Sequence, residues 1–295
     1  MSINNIEGMF TSGAIPITRL NRAIRRLFRK KLGKGFGVDW SVEYDSRTAP
    51  IGIKNQGINY SCGGESASYL IEIHRKSQGI MEGAISAKSI YAPIAYPGGG
   101  TTVSALVTQI CFHGANLEAT VPSYDANGQP LSEAMMIEKS WQTDATRADA
   151  LTRAGYTEYD VGTDIDDVAS AIQAYGPVII EIEGQNGHIP GWLSATPQPP
   201  SKTNPNPTFN HFLCGFGFKT INGVRYISVL ESMGEAVGEN GVQYISEDYF
   251  RSGYVLDVVS FIYDTQIIPL PSNQSILANI VRWFKEQWAL ANSLT

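Results

Sequence analysis

The apolar pattern of this chain changes period part-way along, and that change limits the folds open to it. Residues 62 to 78 carry Tyr69, Leu70 and Ile73 at helical spacing, and residues 103 to 113 repeat their apolar positions in the same way. A further helix is predicted over 165–175. Beyond it the apolar runs become short, β-branched and aromatic, at 177–182, 212–218, 226–230, 242–245 and 255–263, with glycine or charged turns between them. Helices first and strands second predict an α+β chain of two lobes with a cleft between them.

Charge divides the chain further. Residues 1–38 hold eight Arg and Lys against Glu7, a net +7, which leaves −13 for the remainder of a chain whose total is −6. Ile17, Leu20, Ile24, Leu27 and Leu32 recur among those bases, so residues 1–37 read as a basic amphipathic segment, either a pro-segment or a docking arm for an assembly. Residues 38–265 form the expected main domain. After Pro269 and Pro271, residues 266–295 read as an amphipathic helix with Trp283, Phe284 and Trp288 toward one side. Six prolines between Gly184 and Asn210 exclude regular structure there and predict a long loop beside the cleft.

Cys62, Cys111 and Cys214 are widely spaced and form no CxxC pair, which argues against a disulfide framework or a zinc ribbon. No metal or other cofactor is expected. No apolar run reaches the roughly 18 residues of a membrane span, and the first twenty residues lack the core of a secretory signal. The expected setting is the interior of a cell or a virus particle, and no specific nucleic-acid partner is predicted.

The chemistry gathers around two segments. Val38-Asp39-Trp40, and then the run from Ile53 through Lys54-Asn55-Gln56-Gly57 to Cys62, place a cysteine six residues after a glutamine at the head of the first predicted helix. There the positive end of the helix dipole favours a thiolate. Asn210-His211-Phe212-Leu213-Cys214-Gly215 places a histidine at the start of an apolar strand, 149 residues beyond Cys62. Glu231-Ser232-Met233-Gly234 and Gly238-Glu239-Asn240-Gly241 follow. In this order the motifs resemble those of the papain-like cysteine peptidases, over residues 38 to 264. Further similar segments are Ile85 to Tyr91, Gly98-Gly99-Gly100, and Glu118 to Tyr124.

The resemblance implies a papain-like two-lobe fold, with a helical amino-terminal lobe and an antiparallel, β-barrel-like carboxy-terminal lobe. It implies Cys62 as nucleophile, His211 as its base, Glu231 as the orienting group and Gln56 as an oxyanion donor. Gly98, Gly99, Gly100 and Asn210 are the implied substrate contacts, and the substrate is a peptide or protein. Glu231 stands where the family has asparagine, and a carboxylate there stabilises the imidazolium more strongly than an amide. Gly63 and Met233 replace two family tryptophans, and Tyr60 replaces a disulfide cysteine. Glu65 replaces an aromatic and reads either as a group for cleft chemistry or as a first-turn acid favouring the helix N-terminus. His74 and His113 read as structural, and His188 falls in the proline-rich loop. Hydrolysis of peptide bonds through a thioester is the expected function. The alternatives are a catalytically weak papain-like component of a larger assembly, such as a virus particle, and an amidase or acyltransferase acting on cell-wall peptide.

Overall fold

A long buried helix, α1 (Cys62–Ser77), lies across a sheet and organises the fold. The computed structural model describes residues 37–184 and 209–263, so both terminal segments and most of the proline-rich stretch, including His188, lie outside the described residues. Every side chain of α1 from Cys62 to Arg75 is buried, because other helices cover one side and the sheet the other. Around it stand α2 (Ala87–Ile94), α3 (Val103–Thr108) with a π-helical turn at Gln109–His113, α4 (Glu133–Met136) and α5 (Asp144–Leu151). Their starts are fixed locally. The Ser86 hydroxyl accepts the Ser89 N–H at 3.0 Å, and Thr143 and Thr146 form a reciprocal capping box at α5.

The second half is a single antiparallel sheet. Its strands are β1 (Tyr44–Asp45), β2 (Tyr156–Asp160), β3 (Val178–Gly184), β4 (Phe209–Ile221), β5 (Val224–Leu230), β6 (Val242–Ser246) and β7 (Val255–Tyr263). They pair in the order β2-β7-β3-β4-β5-β6, with β1 added to β4. Two more helices accompany it: α6 (Ile165–Tyr175), starting and ending where the sequence predicts, and α7 (Glu247–Arg251). Among the described residues the barrel-like closure expected of this lobe is absent. β2 and β6 stand at opposite ends of the ladder without pairing, so the sheet is open. The Gln109–His113 turn packs beside β2, where the Gly155 N–H donates to the Cys111 carbonyl at 3.0 Å.

Alternation along the strands separates two cores. Ile179, Cys214, Val259 and Phe261 join Leu70, Ile73 and Leu106 on the α1 side. Their strand neighbours Ile180, Leu213 and Val258 join Val168 and Ile172 on the α6 side. Each such aliphatic or aromatic side chain contributes roughly 1.5–3 kcal/mol when fully buried. Burial on both faces is why the strands of this half read as continuous apolar runs rather than as polar–apolar alternation. Between the two halves of the chain, α1 packs on β4, and the two elements named by the sequence motifs meet there.

Candidate active site

Cys62 is the first residue of α1, and its side chain is buried. Two glycines let its surroundings close in. A Cβ on Gly63 would lie 2.7 Å from Thr101 Cγ2 and 3.2 Å from Phe212 Cδ2, and one on Gly64 would lie 2.8 Å from the Ala87 carbonyl oxygen. These distances leave no room for side chains, which accounts for glycine at 63. Phe212, whose ring fills this space, is the residue after His211 on β4.

His211 is buried and bonded on both sides. Its Nε2 lies 2.8 Å from Glu231 Oε1, and its side chain also hydrogen-bonds Cys62. An imidazole has two nitrogens, so the bond to Glu231 through Nε2 leaves Nδ1 for the sulfur. Burial pushes the imidazolium down. The Glu231 carboxylate, the negative charge of Cys62 and the hydrogen bonds to both outweigh it, and His211 is raised to about 10. The favoured form of His211 at neutral pH is thus the imidazolium.

Glu231 is fully buried at the end of β5. Its Oε1 also accepts the Ser232 N–H at 2.9 Å, while Oε2 has no hydrogen-bond partner among the described residues. Contacts through the backbone tie Glu231 and the residues after it to the segment before α1. The Tyr69 hydroxyl, from the second turn of α1, donates to the Glu231 carbonyl at 3.1 Å and accepts the Lys54 N–H. The Gln56 N–H donates to the Ser232 carbonyl at 2.7 Å, and the Gly234 N–H to that of Lys54 at 3.0 Å. Residues 54–56 and 232–234 are therefore held side by side.

Gln56 is buried in that ladder. The Ser232 hydroxyl donates to its Oε1, and its Nε2 donates to the Asn59 carbonyl at 2.8 Å. A primary amide carries two hydrogens, and this bond uses one. The candidate oxyanion donor is thereby oriented from both ends beside the loop leading to Cys62. Met233 packs partly buried against the α6-side core.

The glycine run sits differently from what three equal contacts would suggest. Gly98, Gly99 and Gly100 all have φ between 80° and 95°, which a side chain would strain. The Gly99 N–H donates to the Tyr96 carbonyl at 2.9 Å, and that of Gly100 to the Tyr91 hydroxyl at 2.6 Å. Gly98 is exposed, while Gly99 and Gly100 are buried. Asn210 is buried on β4 opposite Glu183, and its Nδ2 lacks a partner among the described residues.

Glu65 is buried one turn into α1. Burial raises its carboxyl to about 7, with Glu118 adding to the rise and Lys54 and a Ser61 hydrogen bond opposing it. A carboxyl titrating there is only partly charged at neutral pH, which weakens its reading as a first-turn acid serving the helix dipole. His74 packs beside Tyr156 at the far end of α1, where burial lowers it to about 4. His113 ends the π-helical turn. Ser232 and Tyr69 were not apparent as site residues from sequence. Ser232 had a signal, its place directly after Glu231, whereas Tyr69 read only as an apolar helix position.

Among the described residues no group of three or more His, Cys, Asp and Glu side chains could hold a metal ion, and no helix is long and apolar enough to cross a membrane. No protein-family model and no curated protein sequence matches the chain. Its fold does have solved counterparts. Xylellain, a cysteine protease from Xylella fastidiosa, superposes with a TM-score of 0.66 at 16% identity, over 87% of this chain and 97% of the other. The fold is papain-like. The digestive procathepsin L2 of Tenebrio molitor larval midgut gives 0.66 at 18% identity, over 89% and 81%. Bromelain from Ananas comosus, solved with the inhibitor E64, gives 0.57 at 20% identity, over 77% and 100%.

Proposed function

We propose that this papain-like chain is a cysteine peptidase that cleaves peptide bonds through a thioester on Cys62. The observation carrying the reading is the buried chain of contacts from Cys62 through His211 to Glu231, assembled from the head of α1, the start of β4 and the end of β5. As a thiolate, Cys62 attacks the scissile carbonyl carbon. The negative charge that develops on the carbonyl oxygen is received by the spare Gln56 amide hydrogen and the Cys62 N–H. His211 then gives its proton to the leaving amine as the C–N bond breaks, leaving an acyl-enzyme. Water attacks the thioester as His211 takes a proton from it, the C–S bond breaks, and the acid product leaves with the Cys62 thiolate and the His211 imidazolium restored. Glu231 holds the imidazole orientation throughout and favours its cationic form.

A peptidyl electrophile offered to the purified protein tests this. It is expected to label the wild type on Cys62 and leave Cys62→Ala unlabelled; equal labelling of both proteins would overturn the assignment. Casein and peptidoglycan presented in parallel separate protein cleavage from cell-wall amide cleavage. Release of acid-soluble peptide from casein is the expected result.

A further inference from the structure

One carboxylate joins the loop that leads into Cys62 to the glycine run at Gly98, Gly99 and Gly100. Glu133, the first residue of α4, accepts the Tyr60 N–H on Oε2 at 2.8 Å. Its Oε1 accepts the Tyr91 O–H at 2.7 Å. The Tyr91 oxygen in turn accepts the Gly100 N–H at 2.6 Å. Tyr60 lies two residues before Cys62, and Gly100 closes the glycine run.

The loop and the glycine run also touch. A Cβ on Gly99 would fall 2.1 Å from Tyr60 Cδ2, so the Tyr60 ring is seated directly on the glycine backbone. Tyr91 is fully buried, and burial together with Glu133 pushes its phenol far above the usual range, so it remains an O–H donor. The same helix is pressed against α1, since a Cβ on Gly64 would lie 2.8 Å from Tyr91 Cβ. Only a group with two acceptor oxygens and no hydrogens can bond both the Tyr60 amide and the Tyr91 hydroxyl in this way, which an ionised carboxylate does and an amide does not.

We propose that Glu133 is a positioning residue that sets the spacing between the nucleophile loop and the glycine run, through Tyr60 on one side and Tyr91 and Gly100 on the other. Its role is to align an extended peptide with Cys62 rather than to take part in bond breaking. In its kinetic consequence the inference rests on the peptidase reading; the hydrogen-bond relay itself does not.

The test uses Glu133→Ala, Glu133→Gln and Tyr91→Phe in the full-length protein, with two readouts. Amide hydrogen exchange reads the relay directly. Glu133→Ala is expected to speed exchange at both Tyr60 and Gly100 by about tenfold, and Tyr91→Phe at Gly100 while Tyr60 stays protected. Glu133→Gln, which keeps the shape and one acceptor, is expected to fall between wild type and alanine. The second readout compares alkylation of Cys62 by a peptidyl electrophile with alkylation by iodoacetamide, which needs no aligned peptide. The ratio of the two rates is expected to drop about tenfold in Glu133→Ala, with the iodoacetamide rate changed less than about twofold. If Glu133→Ala does not fold, the glutamine and Tyr91→Phe variants carry both readouts.

Unchanged Gly100 exchange in Glu133→Gln and Glu133→Ala would overturn the relay. Equal losses of the iodoacetamide and peptidyl rates would overturn its positioning role. A wild-type Cys62 that reacts with neither reagent would remove the peptidase reading, and the exchange measurements would then decide the relay alone.

Discussion

The two ends of α1 each meet a buried histidine, and the two are driven in opposite directions. At the first turn His211 is bonded to Glu231 and to Cys62 and is raised to about 10. In the last turn His74 lies against Tyr156 and Gly176, donates a hydrogen bond to the Phe261 backbone, and is lowered by burial to about 4. Burial penalises the charged form at both ends. The difference is the Glu231 carboxylate, with Cys62 adding to it, beside His211 and no such partner beside His74 among the described residues. The helix dipole would favour a cation near His74, at the C-terminal end, yet the neutral form wins there, so desolvation exceeds the dipole's contribution of about 0.3–1 kcal/mol. A cationic and a neutral histidine are thus held at the two ends of one helix by what stands beside each.

Removing the charge of Glu231 should move the first end toward the last. Glu231→Gln keeps the size and one acceptor but takes away the charge, leaving mainly Cys62 to oppose burial, so His211 is expected to fall well below its raised value. In the wild type the cationic imidazole is present below its raised value and is lost only as pH climbs through about 10, which sets the alkaline limit of the rate profile. In the variant that limit moves to lower pH, and kcat/KM for a peptide substrate at pH 7 drops about a hundred- to ten-thousand-fold. A rate profile whose alkaline limit stays in place would mean that Glu231 does not sustain the charge.

The pH dependence of stability separates the ends again. His74 is depressed, so its contribution is complete above about 6.5 and is lost as pH falls through about 4. Glu65, near the first turn, is raised, so its contribution is complete below 4.5 and is lost as pH rises through about 7. Each shift corresponds to at most about 3 kcal/mol. His74→Gln is therefore expected to flatten the acid side of the stability profile, and Glu65→Gln the neutral side. Denaturant melts at pH 4, 5.5 and 8 check both, and a Glu65→Gln profile parallel to wild type from pH 5 to 8 would refute the second.

How much of this was legible beforehand follows from the range of the interactions involved. α6 and β7 were read to their ends because each carries its own periodicity and its own flanking glycine or charge. Cys62, Gln56, His211 and Glu231 were named because their local motifs are short and ordered. β2 was missed: Tyr156–Asp160 is a polar-looking run whose pairing with β7 supplies what its composition does not. The openness of the sheet was likewise unreadable, since closure depends on two strands some eighty residues apart. The pairing of Glu133 with Tyr91 escaped for the same reason, since 42 residues separate the two and the segment ending at Tyr91 gives no sign of its partner. Glu65 was visible as a departure, but its burial, and so its weak charge, was not.

The glycines flanking α1 give the smallest and sharpest contrast. At the first turn Gly63 is crowded, with Thr101 Cγ2 at 2.7 Å, Leu106 Cδ1 at 3.1 Å and Phe212 Cδ2 at 3.2 Å from an added Cβ. Beyond the last turn Gly79 meets nothing within 4 Å but has φ of +79°. Gly63→Ala gains up to about 1 kcal/mol of helix propensity and loses about 1–3 kcal/mol to overpacking, so a net destabilisation near 1 kcal/mol is expected. Gly79→Ala should cost a similar amount through backbone strain alone. The mechanisms separate in double variants. Thr101→Ser removes the nearest methyl while keeping the hydroxyl that donates to the Ile94 carbonyl, so it should recover part of the Gly63→Ala loss and none of the Gly79→Ala loss. Additive effects in the Gly63 and Thr101 pair, measured by denaturant melts, would show that the first turn relaxes around a methyl group and that its close packing is not what requires glycine at 63.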